Sequence, residues 1–399
     1  MMSRIRSISL IGIVLAGLLW QVGEVSPNDA NNQTLQRIGR EADDAITGGD
    51  FRKAVALIEK GLKIDPNWKD GLWKAGLVLY QDDQFGRARQ YLSRLTQVDG
   101  TRGVGWALLG MCEFQLREFR AAIEDITRAD RLGIPTQSGL RDAAYLDRAI
   151  AYIHLGEFGT AIELLNKLVS RDSLEERERL IAIFGYASLH RSMEAPLSPE
   201  QMALVRGVGE AMYRSASGDR RGARALFDGL LRKHPKAPLL HYSYGSLLLS
   251  WLDYDGAGAE FRAELAVDPE SYPARLVLAY IAMHQGEAPE GLRWATEAAQ
   301  MRPDLYQSHF YLGQLLLRHD QAKEACAELE AARGLSPLNS GVRYALAKAY
   351  RILGRNADAE RELQEFARLK ALEEPAKAER TSPGSAPGRD EPPPIPAPR

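Results

Sequence analysis

The chain has 399 residues, 45% of them hydrophobic and 26% charged, with a formal net charge of −2. That is enough apolar material for a large core, but the charge balance lacks the basic footprint that nucleic-acid binding needs. No run of 18 or more apolar residues is present, so no conventional membrane-spanning helix is expected.

At the N-terminus, Arg4 and Arg6 precede an apolar stretch from Ile8 to Trp20. A positive start followed by a short apolar core reads as a signal peptide or an N-terminal anchor over residues 1–26. No clear small-x-small cleavage site follows Trp20, so cleavage and retention both stay open, beside a chance apolar start in a cytosolic chain. Either of the first two places the rest of the chain outside the cytoplasmic membrane. The expected location is the bacterial periplasm or the outer face of that membrane. Residues 27–34 are polar and Asn-rich, and read as a linker.

From residue 35 onward, pairs of small residues recur with a period of 34, the two members twelve positions apart. The first members are Ala42, Gly76, Gly110, Ala149, Ala211, Gly245, Ala279, Gly313 and Ala347. The second members are Ala54, Ala88, Ala122, Ala161, Ala223, Ala257, Gly291, Ala325 and Ala359. Numbering each unit so that the second member is position 20, position 24 is large and apolar in eight of nine units, from Ile58 and Leu92 to Leu329 and Leu363. Position 15 is Gly49, Gly156, Gly218, Gly286 and Gly354, as suits a left-handed helix C-terminus. Position 32 is Pro66, Pro235, Pro269, Pro303 and Pro337, which blocks continuation of the second helix. The pattern predicts helical hairpins whose two helices cross at small residues.

The period breaks twice. Five extra residues around Gln137–Arg141 stretch the step from Ala122 to Ala161, and 62 residues separate Ala161 from Ala223. The chain therefore divides into four units over 35–173, a connecting segment over 174–203 and five units over 204–371. In the connector, Ser173 and Glu176 have capping-box spacing, so a helix is predicted from Leu174 to about Met193. Ser198 and Pro199 are then predicted as the cap and first residue of the next helix. Residues 372–399 turn to Pro, Ala, Ser and charge, and read as a disordered or polyproline II tail. Its Pro393 and Pro396 have the PxxP spacing that aromatic grooves recognise, but most proline runs contain that spacing and the tail reads first as a plain spacer.

Taken together, these residues resemble the tetratricopeptide repeat. The best single unit is Trp106, Leu109, Gly110, Ala122, Ile126 and Ala129. The resemblance implies an all-α, right-handed superhelical solenoid of about nine hairpins in two blocks. It also implies that positions 2, 5, 9 and 12 of the first helices line a concave groove. On that basis the partner-binding residues are Trp73, Leu77, Met111, Leu146, Ile150, Met212, Tyr242, Tyr280, Phe310, Gln314 and Tyr344, a mostly apolar and aromatic set suited to a protein or extended peptide; the alternative is that such residues pack between neighbouring repeats or against the chain's own tail. No unit pairs a Lys at position 5 with an Asn at position 9, so the carboxylate-gripping mode of the chaperone-binding branch is not expected.

Nothing in the sequence spells out chemistry. There is no H-E-x-x-H, no C-x-x-C and no phosphate-binding loop, so no catalytic residue, metal or cofactor is expected. Cys112 and Cys326 fall in different units and read as buried hydrophobes. His241 and His309 both occupy position 4, a packing slot. The expected function is a non-catalytic interaction scaffold of the cell envelope. The alternative is an accessory subunit of an envelope assembly or polymer-export machine. The sequence leaves the partner and the oligomeric state open.

Overall fold

The structure, a computed structural model, describes residues 29–135, 139–169 and 174–378, and within these the chain is helical, with no strand. Helices α1 (Asp29–Thr47) and α2 (Phe51–Ile64) form the first hairpin. Three more follow: α3 (Lys69–Gln81) with α4 (Phe85–Val98), α5 (Gly103–Gln115) with α6 (Phe119–Leu132), and α7 (Leu140–His154) with α8 (Phe158–Asn166). Helix α9 (Leu174–Ser188) stands alone. The fifth to ninth hairpins are α10 (Pro199–Ala216) with α11 (Arg220–Lys233), α12 (Leu240–Ser250) with α13 (Tyr254–Val267), α14 (Tyr272–Gln285) with α15 (Ala288–Met301), α16 (Tyr306–Arg318) with α17 (Ala322–Leu335), and α18 (Ser340–Ile352) with α19 (Asn356–Ala378). The chain forms two compact units: one holds the residues up to Ile183 together with Ser192–Ala195, the other Phe184–Arg191 and the residues from Pro196 on.

Within each hairpin the small residue at position 8 makes room for the large one at position 24. A Cβ on Gly76 would lie 2.6 Å from the Leu92 side chain, and one on Gly313 2.6 Å from Leu329. On Gly110 it would lie 2.7 Å from Ile126 and 3.0 Å from the carbonyl oxygen of Ala122. The position-20 alanines, such as Ala54, Ala88, Ala122 and Ala223, are fully buried, as are Ile58, Leu92, Ile126, Phe227 and Phe261 at position 24. Each such large side chain contributes about 1.5–3 kcal/mol on burial. Where position 20 is itself glycine, at Gly291, the space is filled from the next hairpin by Leu315.

The hairpin turns share one backbone device. Position 15 has positive φ in all nine hairpins, whether it is glycine (Gly49, Gly156, Gly218, Gly286, Gly354) or not (Asp83, Arg117, Leu252, Asp320). The next residue's N–H donates to the carbonyl five residues back, as Asp50 does to Ala45 at 2.8 Å and Asp253 to Leu248 at 3.0 Å. This is the Schellman closure of a helix C-terminus. At position 16, Asp50, Asp219 and Asp253 then cap the second helix by accepting from the N–H of Lys53, Gly222 and Gly256.

Helix α9 ends in the same way. His190 has φ of 46°, and the Arg191 N–H donates to the Tyr186 carbonyl at 2.9 Å. His190 lies 34 residues after Gly156 and 28 before Gly218. The connecting helix is thus the first helix of a repeat whose second helix is missing, and the 62-residue step is one full period plus one shortened by six. The segment that replaces the second helix is not helical, and Ser198 closes it. Its Oγ accepts from Gln201 N at 3.2 Å while Gln201 Oε1 accepts from Ser198 N at 2.9 Å, with Pro199 at the first helical position.

Some expected boundaries shift. Helix α1 begins at Asp29, inside the expected linker, because the Asn-rich stretch continues a helix whose apolar face starts at Leu35 and Ile38. Helix α9 stops at Ser188, not near Met193, at the left-handed His190. Helix α19 runs on to Ala378, past the expected end of the repeats at 371. Residues 1–28, 136–138, 170–173 and 379–399 lie outside the described residues, and with them the N-terminal signal or anchor, the Ser173 cap and most of the tail.

Two stability outcomes follow. Replacing Gly110 by Val should destabilise by about 1–3 kcal/mol in urea unfolding, because the Ala122 backbone cannot retreat, whereas Gly86→Ala, with open space around it, should be neutral or slightly stabilising. Leu252 is left-handed and 53% exposed, so Leu252→Gly should stabilise by about 1 kcal/mol in the same assay by relieving backbone strain.

Candidate functional site

Most of the expected groove residues are consumed by packing. Trp73, Leu77, Met111, Leu146 and Ile150 in the first unit, and Met212, Tyr242 and Tyr280 in the second, are buried. Successive first helices lie against one another in α3 with α5, α5 with α7, α14 with α16 and α16 with α18. Tyr242 meets the His190 ring edge-on at 5.4 Å and Phe261 at 5.4 Å. Tyr280 packs against His284 at 4.3 Å and Tyr311 at 6.1 Å. The expected continuous apolar groove therefore contracts to its last members: Phe310 and Gln314 are half-buried and Tyr344 is 48% exposed.

These three residues lie on α16 and α18. A Cβ on Gly341, one turn before Tyr344, would sit 3.7 Å from the Phe310 ring, so Phe310 reaches the start of α18. Tyr344 meets Phe366 of α19 at 5.2 Å between centroids. Further along α18, Lys348 stands 5.8 Å from the Tyr344 ring centroid, and both Lys348 and Arg351 are exposed. The arrangement is a short aromatic strip edged by two cations. It can take up an extended apolar segment and an acidic group beside it.

Position 4 carries a set of contacts that the sequence reading treated only as packing. In the last four hairpins it is His241, Arg275, His309 and Arg343, each 34 residues after the one before. Each of these side chains links the preceding turn to its own second helix. His241 Nδ1 lies 2.7 Å from Glu260, and His309 Nδ1 lies 2.6 Å from Glu328, with its Nε2 3.0 Å from the Pro303 carbonyl. Arg343 donates to Glu362 at 2.9 Å and to the Pro337 carbonyl at 2.7 Å, and Arg275 donates to Glu297 at 2.8 Å. The hydrogen bond to Glu260 holds the His241 imidazole above its ordinary pKa. The visible signal was a Glu 19 residues after three of these four residues.

The first unit buries acidic groups. Glu113 on α5 shares a hydrogen bond with Asp125 on α6, and burial beside a second carboxyl raises Glu113 well above the usual carboxylate range. Asp147 on α7 is buried and pushed up to about 7, against the opposing pull of the Arg179 guanidinium on α9. A cavity of about 30 Å³ nearby is lined by Asp142, Ala143, Leu146, Leu168, Glu176, Arg179 and Leu180. It has room for about one water and is far below the several hundred Å³ of a ligand pocket. Among the described residues, no group of three or more His, Cys, Asp or Glu side chains is placed to hold a metal ion. Both cysteines are buried thiols.

Glu113 sets a pH dependence. The folded chain keeps a proton on this carboxyl that the unfolded chain loses, so its contribution is fully present below the ordinary carboxylate pKa and is lost as pH rises through the folded value. Urea midpoints of the parent chain should fall from pH 5 to pH 8.5, and Glu113→Gln should flatten part of that fall. An unchanged pH profile in the variant contradicts the assignment.

Three spans, residues 40–100, 208–263 and 252–306, match the sequence profile of the tetratricopeptide repeat. No curated protein matches the chain. Similar solved structures include a MamA RS-1 ArsTM double mutant, 15% identical over 42% of this chain and 94% of that one, with a TM-score of 0.40. MamA from Desulfovibrio magneticus RS-1, residue 41 to the end, is 16% identical over 42% of this chain and 94% of that one, with a TM-score of 0.37. YrrB, described as a TPR protein with an unusual peptide-binding site, is 18% identical over 43% of this chain and 91% of that one, also with a TM-score of 0.37.

Proposed function

The chain belongs to the tetratricopeptide repeat family, and we propose that it is a non-catalytic scaffold that holds a partner polypeptide against the first helices of its last two hairpins. The family fold serves protein–protein interaction in general, through surfaces that stacked repeats present. What carries the finer reading is that Phe310, Gln314 and Tyr344 stay accessible while the other apolar and aromatic residues expected in the groove, from Trp73 to Tyr280, are buried. Exposed aromatics beside cations are typical of binding hot spots. The scaffold works outside the cytoplasmic membrane, a reading supported by Arg4 and Arg6 ahead of the apolar stretch from Ile8 to Trp20. No helix among the described residues is long and apolar enough to cross a membrane.

The test is partner capture by cross-linking in intact cells. The double variant Phe310→Ser, Gln314→Ala is compared with the parent chain, and circular dichroism checks that helix content is kept. Loss of a hot spot worth about 2 kcal/mol weakens binding about 30-fold, so the specific cross-linked partner should disappear. A folded variant that captures the same partner in the same yield removes the surface from consideration.

A further inference from the structure

The ninth hairpin is the last among the described residues, and apolar side chains are exposed on it and just before it. Six of the nine exposed large hydrophobic residues among those described lie between residues 335 and 372: Leu335, Leu338, Tyr344, Ile352, Leu353 and Leu372. Position 5, buried in the first seven hairpins and half-buried at Phe310, is here the exposed Tyr344, against Phe366. Beyond Tyr344 on the same stripe of α18 stand Lys348 and Arg351, four and seven residues on. Among the described residues neither has a carboxylate within ion-pair distance.

We propose that the chain's own segment Asp390–Pro396 docks on this stripe, with prolines on the Tyr344–Phe366 rings and Asp390 and Glu391 facing Arg351 and Lys348. The sequence of the segment is Asp390-Glu391-Pro392-Pro393-Pro394-Ile395-Pro396, two acids followed by a run that favours polyproline II, the conformation that aromatic surfaces recognise. The spacings agree. Tyr344 to Arg351 spans about 10.5 Å of helix at 1.5 Å per residue, and Pro393 back to Asp390 spans about 9 Å at 3.1 Å per residue. The reach is sufficient as well. From Phe366 to the end of α19 at Ala378 is about 18 Å, and the 15 residues from there to Pro393 extend up to about 46 Å. Tethering gives such a segment a millimolar effective concentration, so a weak patch can hold it.

The docking covers Tyr344, and that can be read without any knowledge of the partner. In the full chain, nitration of Tyr344 by tetranitromethane, followed by peptide mass spectrometry, should be slow. It should speed up at least fivefold when Pro392, Pro393, Pro394 and Pro396 are all replaced by Ser, and also in the charge reversal Asp390→Lys, Glu391→Lys. Raising the salt concentration should accelerate the parent chain but not the charge-reversed one. A labelled peptide of residues 389–399 added to the four-Ser chain should restore slow nitration, and Phe366→Ser should abolish that rescue. Equal Tyr344 rates in the parent and four-Ser chains overturn the proposal. So does protection that grows with protein concentration, which assigns the face to a second copy. Because Phe310 and Gln314 are untouched, failure here leaves the partner-capture result standing, and failure there leaves this one.

Discussion

The contact between position 8 of one helix and position 24 of its partner governs the rest of the molecule. Ile126 fits because Gly110 has no side chain, and Leu329 fits because Gly313 has none. With this crossing set and the turn fixed by a left-handed residue seven positions on, each hairpin becomes a unit of one shape. Units of one shape stack with the same residues facing each neighbour. Which side chains are available to a partner is therefore decided by what the neighbouring helices cover as well as by residue type.

That constraint separates what could be read in the sequence from what could not. The glycines and alanines at positions 8 and 20, the turn glycines and the Ser198–Pro199 start were legible because each is a residue type selected by one local geometry. The left-handed Asp83, Arg117, Leu252 and Asp320 were legible only through register, since none of them favours that conformation. His190 was missed for the same reason, and with it the fact that α9 is a first helix without a second. The groove failed differently. Tyr242 and Tyr280 lie on the stripe the family pattern assigns, but periodicity tells which face a residue is on and not what covers it. Of that set only Phe310, Gln314 and Tyr344 remain accessible.

The charged residues follow the same economy. Where other repeats of this kind place a large aromatic at position 4, the last four hairpins place a His or Arg that reaches both the preceding turn and its own second helix. These contacts are partly exposed, so each adds little on its own. Their value lies in geometry, since three chain segments meet at one side chain. Glu113 and His241 both bind protons more tightly in the folded chain, so both lose stability as pH rises, while Asp253, lowered by Arg224 and the Gly256 N–H, works in the opposite direction. The pH response of the fold is the difference between these sets and not the sum of its ion pairs.

A last described hairpin that shows an aromatic and two cations with no ion pair among the described residues carries a liability, because terminal repeats ordinarily present a polar face for solubility. A tethered segment of matching chemistry resolves it within one chain. It also changes the energetics of recognition. A partner that uses Tyr344 must displace a ligand held at millimolar effective concentration, so its apparent affinity falls by the fraction of chains with the stripe free. Contacts to Phe310 and Gln314, which the segment does not need, then become what distinguishes a true partner from the chain's own tail.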